Sequence, residues 1–238
     1  MDGVEVARPC HCQEKARLSR RLAFANLPEA FKDRRLSSFH MGAYKNIEGR
    51  NYAALACKTV KFYIDNFEEM QERGMGLYMF SQTKGSGKTT MAAGIANELM
   101  EMGHQVKFAT SLDIVKEIKR TWEREKDWNN QRDGERQSEG QLLDALGRTE
   151  ILIIDDFGVE IEKDWIKEKY FQIVNDRYIN KKITIFTSND RLEDLKHDDR
   201  VINRIKEITY QLQFPEESIR DYIAEDNRRE LIEHLKAK

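Results

Sequence analysis

Residues 151–156 read Ile-Leu-Ile-Ile-Asp-Asp, an apolar run that ends in two carboxylates. A glycine-rich loop, Lys84-Gly85-Ser86-Gly87-Lys88-Thr89-Thr90, lies upstream, and a second apolar run downstream ends at Thr187-Ser188-Asn189. Short apolar runs bounded by polar residues are typical of buried strands. A loop that surrounds phosphate, a carboxylate pair that holds metal and water, and a polar sensor residue, each after such a strand, predict the core of a nucleoside triphosphatase.

The composition indicates a folded protein with a heavily charged surface. Its 238 residues allow one sizeable domain, with or without a small appendage, and 39% hydrophobic residues can form a core. The net charge of −2 argues against a protein that coats nucleic acid, so any DNA contact must be local. Because no apolar run reaches the roughly 18–20 residues that cross a bilayer, and the N-terminus lacks the features of a secretory signal, we expect a cytoplasmic protein without membrane contact.

The order of the predicted elements favours an α/β fold. Residues 1–45 include a short basic helix over 16–25 and are interpreted as an appended N-terminal arm rather than a buried layer; residues 46–238 are the predicted triphosphatase domain. Predicted strands cover 77–80, 105–109, 151–155 and 183–187, and predicted helices cover 52–70, 91–100, 111–122 and 163–180. Residues 123–141 are charged, which indicates a solvated helix end or a loop. Strands separated by helices predict a parallel sheet with helices on both faces.

The glycine-rich loop predicts a phosphate site. Its glycines let backbone N–H groups turn towards phosphate, and the following helix adds its positive N-terminus. Lys88 supplies charge to the β- and γ-phosphates, and the Thr89 hydroxyl completes the Mg²⁺ shell. The usual pattern begins with glycine where this chain has Gln82, and a side chain is tolerated there only if φ is not positive. The alternative, a surface turn, is disfavoured because the carboxylate pair supports the phosphate site independently.

The carboxylate pair predicts a metal ligand and a base. Asp155 is expected to hold Mg²⁺, and Asp156 to orient or deprotonate the attacking water. Many related ATPases have glutamate at the second position. Since aspartate is shorter by one methylene, we predict slow intrinsic turnover unless a partner adjusts the geometry. The alternative is a solvated pair at a strand end.

Three further polar residues are candidates for sensing the nucleotide. An amide at Asn189 can touch both the γ-phosphate and the attacking water, although asparagine after a strand also caps helices. Arg220 can reach the γ-phosphate in the same chain, or pair with Asp221 or Glu217. Arg200 and Arg204 share a helix face and can be presented to a neighbouring subunit's nucleotide, or form surface salt bridges with Asp198 or Glu207.

Two other segments invite a binding interpretation. Cys10-His11-Cys12 supplies too few ligands for a zinc site without a second cysteine pair, and three cysteines do not make a disulfide framework. We place Cys57 in the core. The segment 116–128 interleaves basic residues with Trp122 and Trp128 and suits single-stranded DNA. Its acidic residues leave an amphipathic helix with a solvated face as an equal alternative.

Five motifs in order are similar to those of a known family. They are Gly85-Ser86-Gly87-Lys88-Thr89, Leu152-Ile153-Ile154-Asp155-Asp156-Phe157-Gly158, Asn175-Asp176-Arg177-Tyr178, Thr187-Ser188-Asn189 and Arg200-Val201-Ile202-Asn203-Arg204. Together they resemble the DnaC/DnaI-like replicative helicase loaders, AAA+ ATPases closely related to the IstB transposition helpers. The likeness covers about residues 45–238. The short arm suggests a loader of the phage or mobile-element type.

The resemblance implies a fold, cofactors and partners. It implies an AAA+ domain over 46–238, with a parallel five-stranded sheet and a reduced C-terminal helical lid, and a helicase-binding arm over 1–45. It implies ATP and Mg²⁺ as cofactors, self-association through the nucleotide site, single-stranded DNA, and a hexameric replicative DNA helicase that is loaded onto that DNA.

By position, the resemblance also implies roles for individual residues. Residues 84–90 match the nucleotide loop, with Thr89 and Asp155 as metal ligands. The implied catalytic residues are Asp156 as the water-activating group, Asn189 as first sensor, Arg204 as the arginine acting in trans and Arg220 as second sensor, with Arg200 as a helper.

Two rival functions stay open. A transposition helper of the IstB type would bind duplex DNA and a transposase with the same core motifs. A regulatory ATP-binding module with negligible hydrolysis is suggested by Gln82 and Asp156.

Overall fold

A parallel five-stranded sheet forms the centre of the molecule. The computed structural model describes residues 26–126, 138–160 and 163–236. The strands are β1 (Gly76–Phe80), β2 (Val106–Thr110), β3 (Ile151–Phe157), β4 (Ile183–Ser188) and β5 (Thr209–Gln213). Their order in the sheet is β2-β3-β4-β1-β5, and every pairing is parallel. The fold class is therefore the one predicted.

Helices cover both faces of this sheet. They are α1 (Ile47–Asp65), α2 (Phe67–Arg73), α3 (Lys88–Met102), α4 (Ser111–Lys126), α5 (Glu139–Arg148), α6 (Asp164–Ile179), α7 (Asp199–Ile208) and α8 (Arg220–Lys236). Apolar side chains of α1, α2 and α3 form one core with the sheet, and those of α4 to α7 form a second core on the opposite face. Helix α8 follows β5 and is the reduced C-terminal lid. Among the described residues, no helix has the length and apolar character required to cross a bilayer.

Three elements differ from the predicted ones. The predicted helix 52–70 is broken at Asn66, whose side-chain amide donates to the carbonyl of Phe62 at 2.8 Å and ends α1. Helix α5 has no counterpart among the predicted helices: its residues 139–141 fall in the segment 123–141 that is interpreted as a solvated helix end or a loop. Ser138 and Gln141 form a capping box before its apolar residues. Strand β5 is the fifth strand that the resemblance implied and that the apolar patterns did not reveal.

The parallel arrangement brings the functional motifs together. Strands β1, β3 and β4 are adjacent, and their carboxyl ends lie at one edge of the sheet. The glycine-rich loop follows β1, the carboxylate pair ends β3, and Asn189 follows β4. Ligands of open parallel sheets bind at this edge.

Residues 27–44, which we call the N-terminal strap, pack against α3. Leu27 and Tyr44 are buried, and the Asn97 side chain of α3 donates to the carbonyls of Phe31 (3.0 Å) and Arg34 (2.8 Å). This half of the predicted arm is packed rather than appended, because its apolar residues cover a helix face. The division at residue 45 stays a prediction. Residues 1–25, with the Cys10-His11-Cys12 motif and the predicted basic helix, lie outside the described residues.

Candidate nucleotide-binding and active site

The glycine-rich loop joins β1 to α3 in a conformation that requires its glycines. Gly85 has φ 80° and Gly87 has φ 93°, both in the left-handed region. A Cβ atom on Gly87 would lie 3.0 Å from the hydroxyl oxygen of Tyr44, which donates to the Ser86 carbonyl at 2.8 Å. The N-terminal strap therefore touches the loop directly.

Lys88 is buried at the start of α3. Its ammonium donates to the carbonyls of Ser81 (3.1 Å) and Thr83 (3.3 Å) and to the Ser86 hydroxyl (3.2 Å). Burial lowers the pKa of Lys88, although nearby carboxylates, Asp156 and Glu216 foremost, oppose the shift. A partly desolvated cation held by neutral carbonyls gains most when a polyphosphate supplies the missing negative charge.

Thr89 and Asp155 are side by side. The Thr89 hydroxyl lies 3.0 Å from Oδ1 and 3.2 Å from Oδ2 of Asp155, and Thr187 donates to the same Oδ1 at 2.6 Å. Burial raises the pKa of Asp155, because its charge has lost solvent. Paired oxygen donors with one buried carboxylate fit a small divalent cation such as Mg²⁺. Among the described residues, no cluster of three or more histidine, cysteine or acidic side chains forms another metal site.

Asp156 lies at a β-bulge and has a positive φ of 53°. Its backbone N–H donates to the Thr187 hydroxyl at 2.9 Å, so the same threonine orients both carboxylate residues. The bulge re-aims the side chain at the end of β3, towards the edge where the phosphate loop lies. Asp155 and Asp156 line the same cavity.

An open cavity of about 550 Å³ brings together most of the predicted site residues. It is lined by residues 84–90 and by Asp155, Asp156, Asn189 and Arg220. Arg220 begins α8 and lies against Gly85, where an added Cβ would meet its Nε at 2.9 Å. The apolar side chains of Phe31, Val159, Ile219 and Ile223 complete the lining. The arrangement offers cations, oxygen ligands and an apolar wall, which together suit a nucleoside triphosphate.

The family is shown by sequence comparison. A model described as IstB-like ATP binding protein matches residues 6–206, most of the chain. The chain belongs to the IstB-like ATP-binding family.

Relatives in this family include replicative helicase loaders. The IstB-like chain is 29% identical over 153 residues to the replicative helicase loader DnaC of Escherichia coli (strain K12), a stretch that covers 63% of this chain and 57% of that protein. It is 30% identical over 126 residues to the replicative helicase loader DnaI of Bacillus subtilis (strain 168), a stretch that covers 52% of this chain and 36% of that protein. The aligned stretch is therefore little more than half of the first relative and about a third of the second.

Structural comparison agrees on the fold. A crystal structure of the DnaC helicase loader superposes with a TM-score of 0.59 at 23% identity, and the match covers 78% of this chain and 99% of that one. The domain is an AAA+ P-loop ATPase fold, as the sequence resemblance implied.

The glycine-rich loop accommodates Gln82 at the position where the usual pattern has glycine. Its φ is not positive, which meets the condition set by the sequence. Glu216, in the β5–α8 connection, accepts from the backbone N–H of Gln82 (3.1 Å) and of Thr83 (2.8 Å) and from the Ser81 hydroxyl (3.1 Å). Sequence reasoning missed Glu216, because its partners are far away along the chain. The loop therefore accommodates a side chain at position 82.

Arg200 and Arg204 lie on α7, outside the cavity of their own chain. The Arg200 guanidinium stacks on Phe171 and pairs with Asp198 at 2.9 Å. The Arg204 guanidinium lies over the ring of Tyr178, 4.1 Å from its centroid, with Glu207 at 3.6 Å. In a single chain, both arginines thus make the surface pairs that were the alternative interpretation.

Trp122 is engaged inside the domain. Its ring packs against Trp165 with centroids 4.6 Å apart, and its indole N–H donates to Glu139. Lys116 and Arg120 pair with acidic residues of the same helix. These contacts agree with the amphipathic-helix interpretation of α4, and the hypothesis that segment 116–128 binds single-stranded DNA stays a prediction. Trp128 lies outside the described residues.

Proposed function

We propose that this protein is an ATP-dependent loader of a replicative DNA helicase onto single-stranded DNA. The observation that carries the ATP-dependent part is the contact between Thr89 and Asp155 beside the buried Lys88. The loader part is supported by relatives named replicative helicase loaders.

Each site residue has a role in this proposal. Lys88 neutralises the β- and γ-phosphates, while Thr89 and Asp155 hold Mg²⁺, which supplies charge stabilisation to the transferred phosphoryl group when bound. Asp156 orients the attacking water, and Asn189 and Arg220, which line the same cavity, contact the γ-phosphate.

Self-association completes the site in this proposal. Because Arg200 and Arg204 lie outside the cavity of their own chain, a neighbouring subunit would receive them at its nucleotide. Their release from Asp198 and Glu207 would accompany assembly. Hydrolysis is then slow in the single chain and is stimulated by partners, and the nucleotide state switches the affinity for DNA and helicase.

The test of nucleotide function uses the intact chain and Lys88→Ala. We expect MgATP to raise the Tm of the wild type by an amount that grows with its concentration, and Lys88→Ala to lose both this shift and any hydrolysis. Hydrolysis that survives Lys88→Ala would place the site elsewhere.

The test of loading is co-purification with the cognate replicative helicase, followed by mass measurement with and without ATP. A stable complex is expected for the intact chain and a weakened one for a chain without residues 1–25. Failure of the intact chain to bind any helicase would refute the loader assignment.

The second candidate is a transposition helper, favoured by the family match itself. A comparison of ATP-dependent binding to duplex and single-stranded DNA of the same sequence separates the two. Preference for duplex DNA, with no helicase binding, supports the helper. A regulatory module without hydrolysis would bind MgATP and show no partner-stimulated turnover.

A further inference from the structure

A buried polar cluster lies directly behind the carboxylate pair, and neither the motifs nor the proposed mechanism uses it. It consists of Ser111, Glu160, Tyr170 and His197, which we call the Glu160 cluster. The side chains of Glu160 and His197 are 3% and 6% exposed. An ionisable pair this deep is seldom kept for stability alone, since apolar residues of the same volume would serve as well or better.

The cluster is closely hydrogen-bonded around one carboxylate. His197 Nε2 lies 2.6 Å from Glu160 Oε1, and the Ser111 hydroxyl donates to Oε2. The Tyr170 hydroxyl donates to the Ser111 carbonyl at 3.0 Å. Burial raises the pKa of Glu160, but the hydrogen bonds from His197 and Ser111 outweigh it and hold the pKa below its usual range. Glu160 is therefore a buried carboxylate that these donors keep ionised.

The carboxylate of Glu160 also holds the turn that carries Asp156. The Gly158 N–H donates to Glu160 Oε2 at 3.0 Å, and the Val159 N–H donates to the Asp156 carbonyl at 3.4 Å. This turn contains two residues with positive φ, Asp156 and Gly158. A strained turn keeps its shape only while surrounding contacts determine it, and Glu160 supplies one of these contacts in addition to the one from Thr187.

His197 fixes Glu160 in turn and connects it to another element. Its ring stacks on Phe157, the residue after Asp156, with centroids 4.5 Å apart and planes 4° from parallel. Asp198, the next residue, caps the N-terminus of α7. The buried Nδ1 atom of His197 has no hydrogen-bond partner in the described part of the chain. The imidazole is thus held by its contact with Glu160 and by ring packing.

We propose that Glu160 and His197 are positioning residues for ATP hydrolysis: they hold the 156–160 turn so that Asp156 faces the water that attacks the γ-phosphate. This inference rests on the proposed function, because it assumes that Asp156 activates water. Neither residue lies among the phosphate-loop residues, so the pair governs turnover and leaves nucleotide binding to residues 84–90.

The experiment separates turnover from binding and from stability. MgATP affinity, kcat and Tm are measured on the full chain for the wild type, His197→Ala, His197→Gln and Glu160→Gln. Thr184→Val, which removes a buried acceptor of Arg177 far from the cluster, serves as a control for lost stability, and all assays run below the lowest Tm.

We expect the variants to change kcat much more than the Kd for MgATP. His197→Ala and Glu160→Gln should lower kcat on the order of 10- to 100-fold, as a misplaced catalytic group does, while the Kd for MgATP changes less than about threefold. His197→Gln should recover most of the kcat, because its side-chain amide can donate from the position of Nε2. Thr184→Val should lose Tm and keep its kcat.

Two outcomes overturn the inference and leave the proposed function intact. Wild-type kcat in His197→Ala and Glu160→Gln would show that the turn does not need them. A fall in kcat for Thr184→Val that matches theirs at equal loss of Tm would show that the effect is only structural. Absence of Lys88-dependent hydrolysis in the wild type would instead overturn the proposed function and the inference with it.

Discussion

Asp156 combines an unfavourable backbone conformation with the position that faces the phosphate cavity. A non-glycine residue at φ 53° costs on the order of 1 kcal/mol, and asparagine and aspartate bear this conformation better than other residues do. Thr187 and the Glu160 cluster hold it in place. Within the 156–160 turn, the non-glycine residue with a positive φ is the one whose carboxylate is needed at a defined point, which is the pattern expected of a functional position.

Asp156→Asn tests the chemical role of that carboxylate. Asparagine tolerates the same backbone conformation, so we expect an unchanged Tm and an unchanged Kd for MgATP. Loss of the base should lower kcat about 10²- to 10⁴-fold, measured as steady-state phosphate release at saturating MgATP. An Asp156→Asn protein with wild-type turnover would assign water activation to another group.

The pKa of Asp198 depends on its hydrogen bonds with Arg200. Hydrogen bonds from Arg200 hold the pKa of Asp198 at about 2, below the value of 3.8 that is usual for an aspartate. Because the folded-state pKa is lowered, the stabilisation is present above 3.8 and is lost as the pH falls towards 2.

Arg200→Ala should raise the pKa of Asp198 towards its usual value in an NMR titration of the carboxyl carbons. Arg204→Ala, which removes an arginine from the same helix face without touching Asp198, should leave the pKa low. Equal shifts in both variants would mean that the general charge of α7, rather than the direct pair, controls Asp198.

At the scale of elements, the connection from β5 to α8 is hydrogen-bonded to the glycine-rich loop and to the residues just before it. Glu216 accepts from Gln82, Thr83 and Ser81, and the Ile219 N–H donates to the Gly85 carbonyl at 3.0 Å. The adjacent Glu217 instead accepts from the N–H groups of Lys45 (2.6 Å) and Asn46 (3.1 Å) at the start of α1. Two neighbouring glutamates therefore serve two different elements.

Glu216→Gln and Glu217→Gln form a matched pair of variants. Hydrogen bonds to a carboxylate contribute about 1.5–3 kcal/mol, more than the roughly 1 kcal/mol of screened repulsion between an exposed carboxylate and phosphate. We therefore expect Glu216→Gln to weaken MgATP binding about tenfold by isothermal titration. Glu217→Gln should lower Tm with little change in affinity. Tighter MgATP binding by Glu216→Gln would show that repulsion dominates.

Arg177 joins three elements from a buried position. Its guanidinium donates to the carbonyls of Leu146 (2.6 Å), Thr149 (2.8 Å) and Ile183, and its Nε to the Thr184 hydroxyl (2.8 Å). Burial lowers its pKa to about 9, so it remains charged at neutral pH. This arginine of the Asn-Asp-Arg-Tyr motif thus ties the end of α5 and the start of β4 to α6.

Arg177→Met should lower the free energy of unfolding by about 3 kcal/mol or more, because several buried carbonyls lose their donor. Arg148→Met, at an exposed arginine that pairs with Asp144 on α5, should change it by no more than about 0.5 kcal/mol. Urea unfolding of both proteins measures the difference. Equal free energies of unfolding for the two variants would show that Arg177 has no special structural role.

At the scale of the whole molecule, the N-terminal strap links the chain's start to the nucleotide cavity. Phe31 lines the cavity, and Phe39 and Tyr44 contact the phosphate loop at Gly87. The strap also covers α3, where Arg35 pairs with Glu101 at 2.6 Å. A partner bound at the N-terminus would therefore act on an element that already touches the loop.

Two truncations test whether the strap belongs to the ATPase domain. A chain of residues 46–238 loses the buried contacts of Leu27 and Tyr44 and exposes the apolar face of α3, so we expect a lower Tm and weaker MgATP binding than for residues 26–238. Differential scanning fluorimetry with and without MgATP measures both. If the two chains behave alike, the predicted boundary at residue 45 is the functional one.

The phosphate loop, the carboxylate pair and Asn189 could be predicted from the sequence because their chemistry depends on residue types at fixed places relative to strands. Parallel strands then force these places to one edge of the sheet. Two less regular elements could not be predicted from apolar patterns. Helix α5 begins at a capping box in a charged stretch, and β5 is a short strand without a clear apolar run.

The sequence by itself determined the fold class and the sheet edge at which the candidate site residues meet, since both follow from local patterns and their order. Only the tertiary structure decided which distant residues support them. Three hydrogen-bonded pairs show this, with partners 42, 134 and 37 positions apart along the chain. They are Tyr44 with Ser86, Glu216 with Gln82, and Glu160 with His197. No periodicity connects such pairs, because they meet through the packing of separate elements on the sheet.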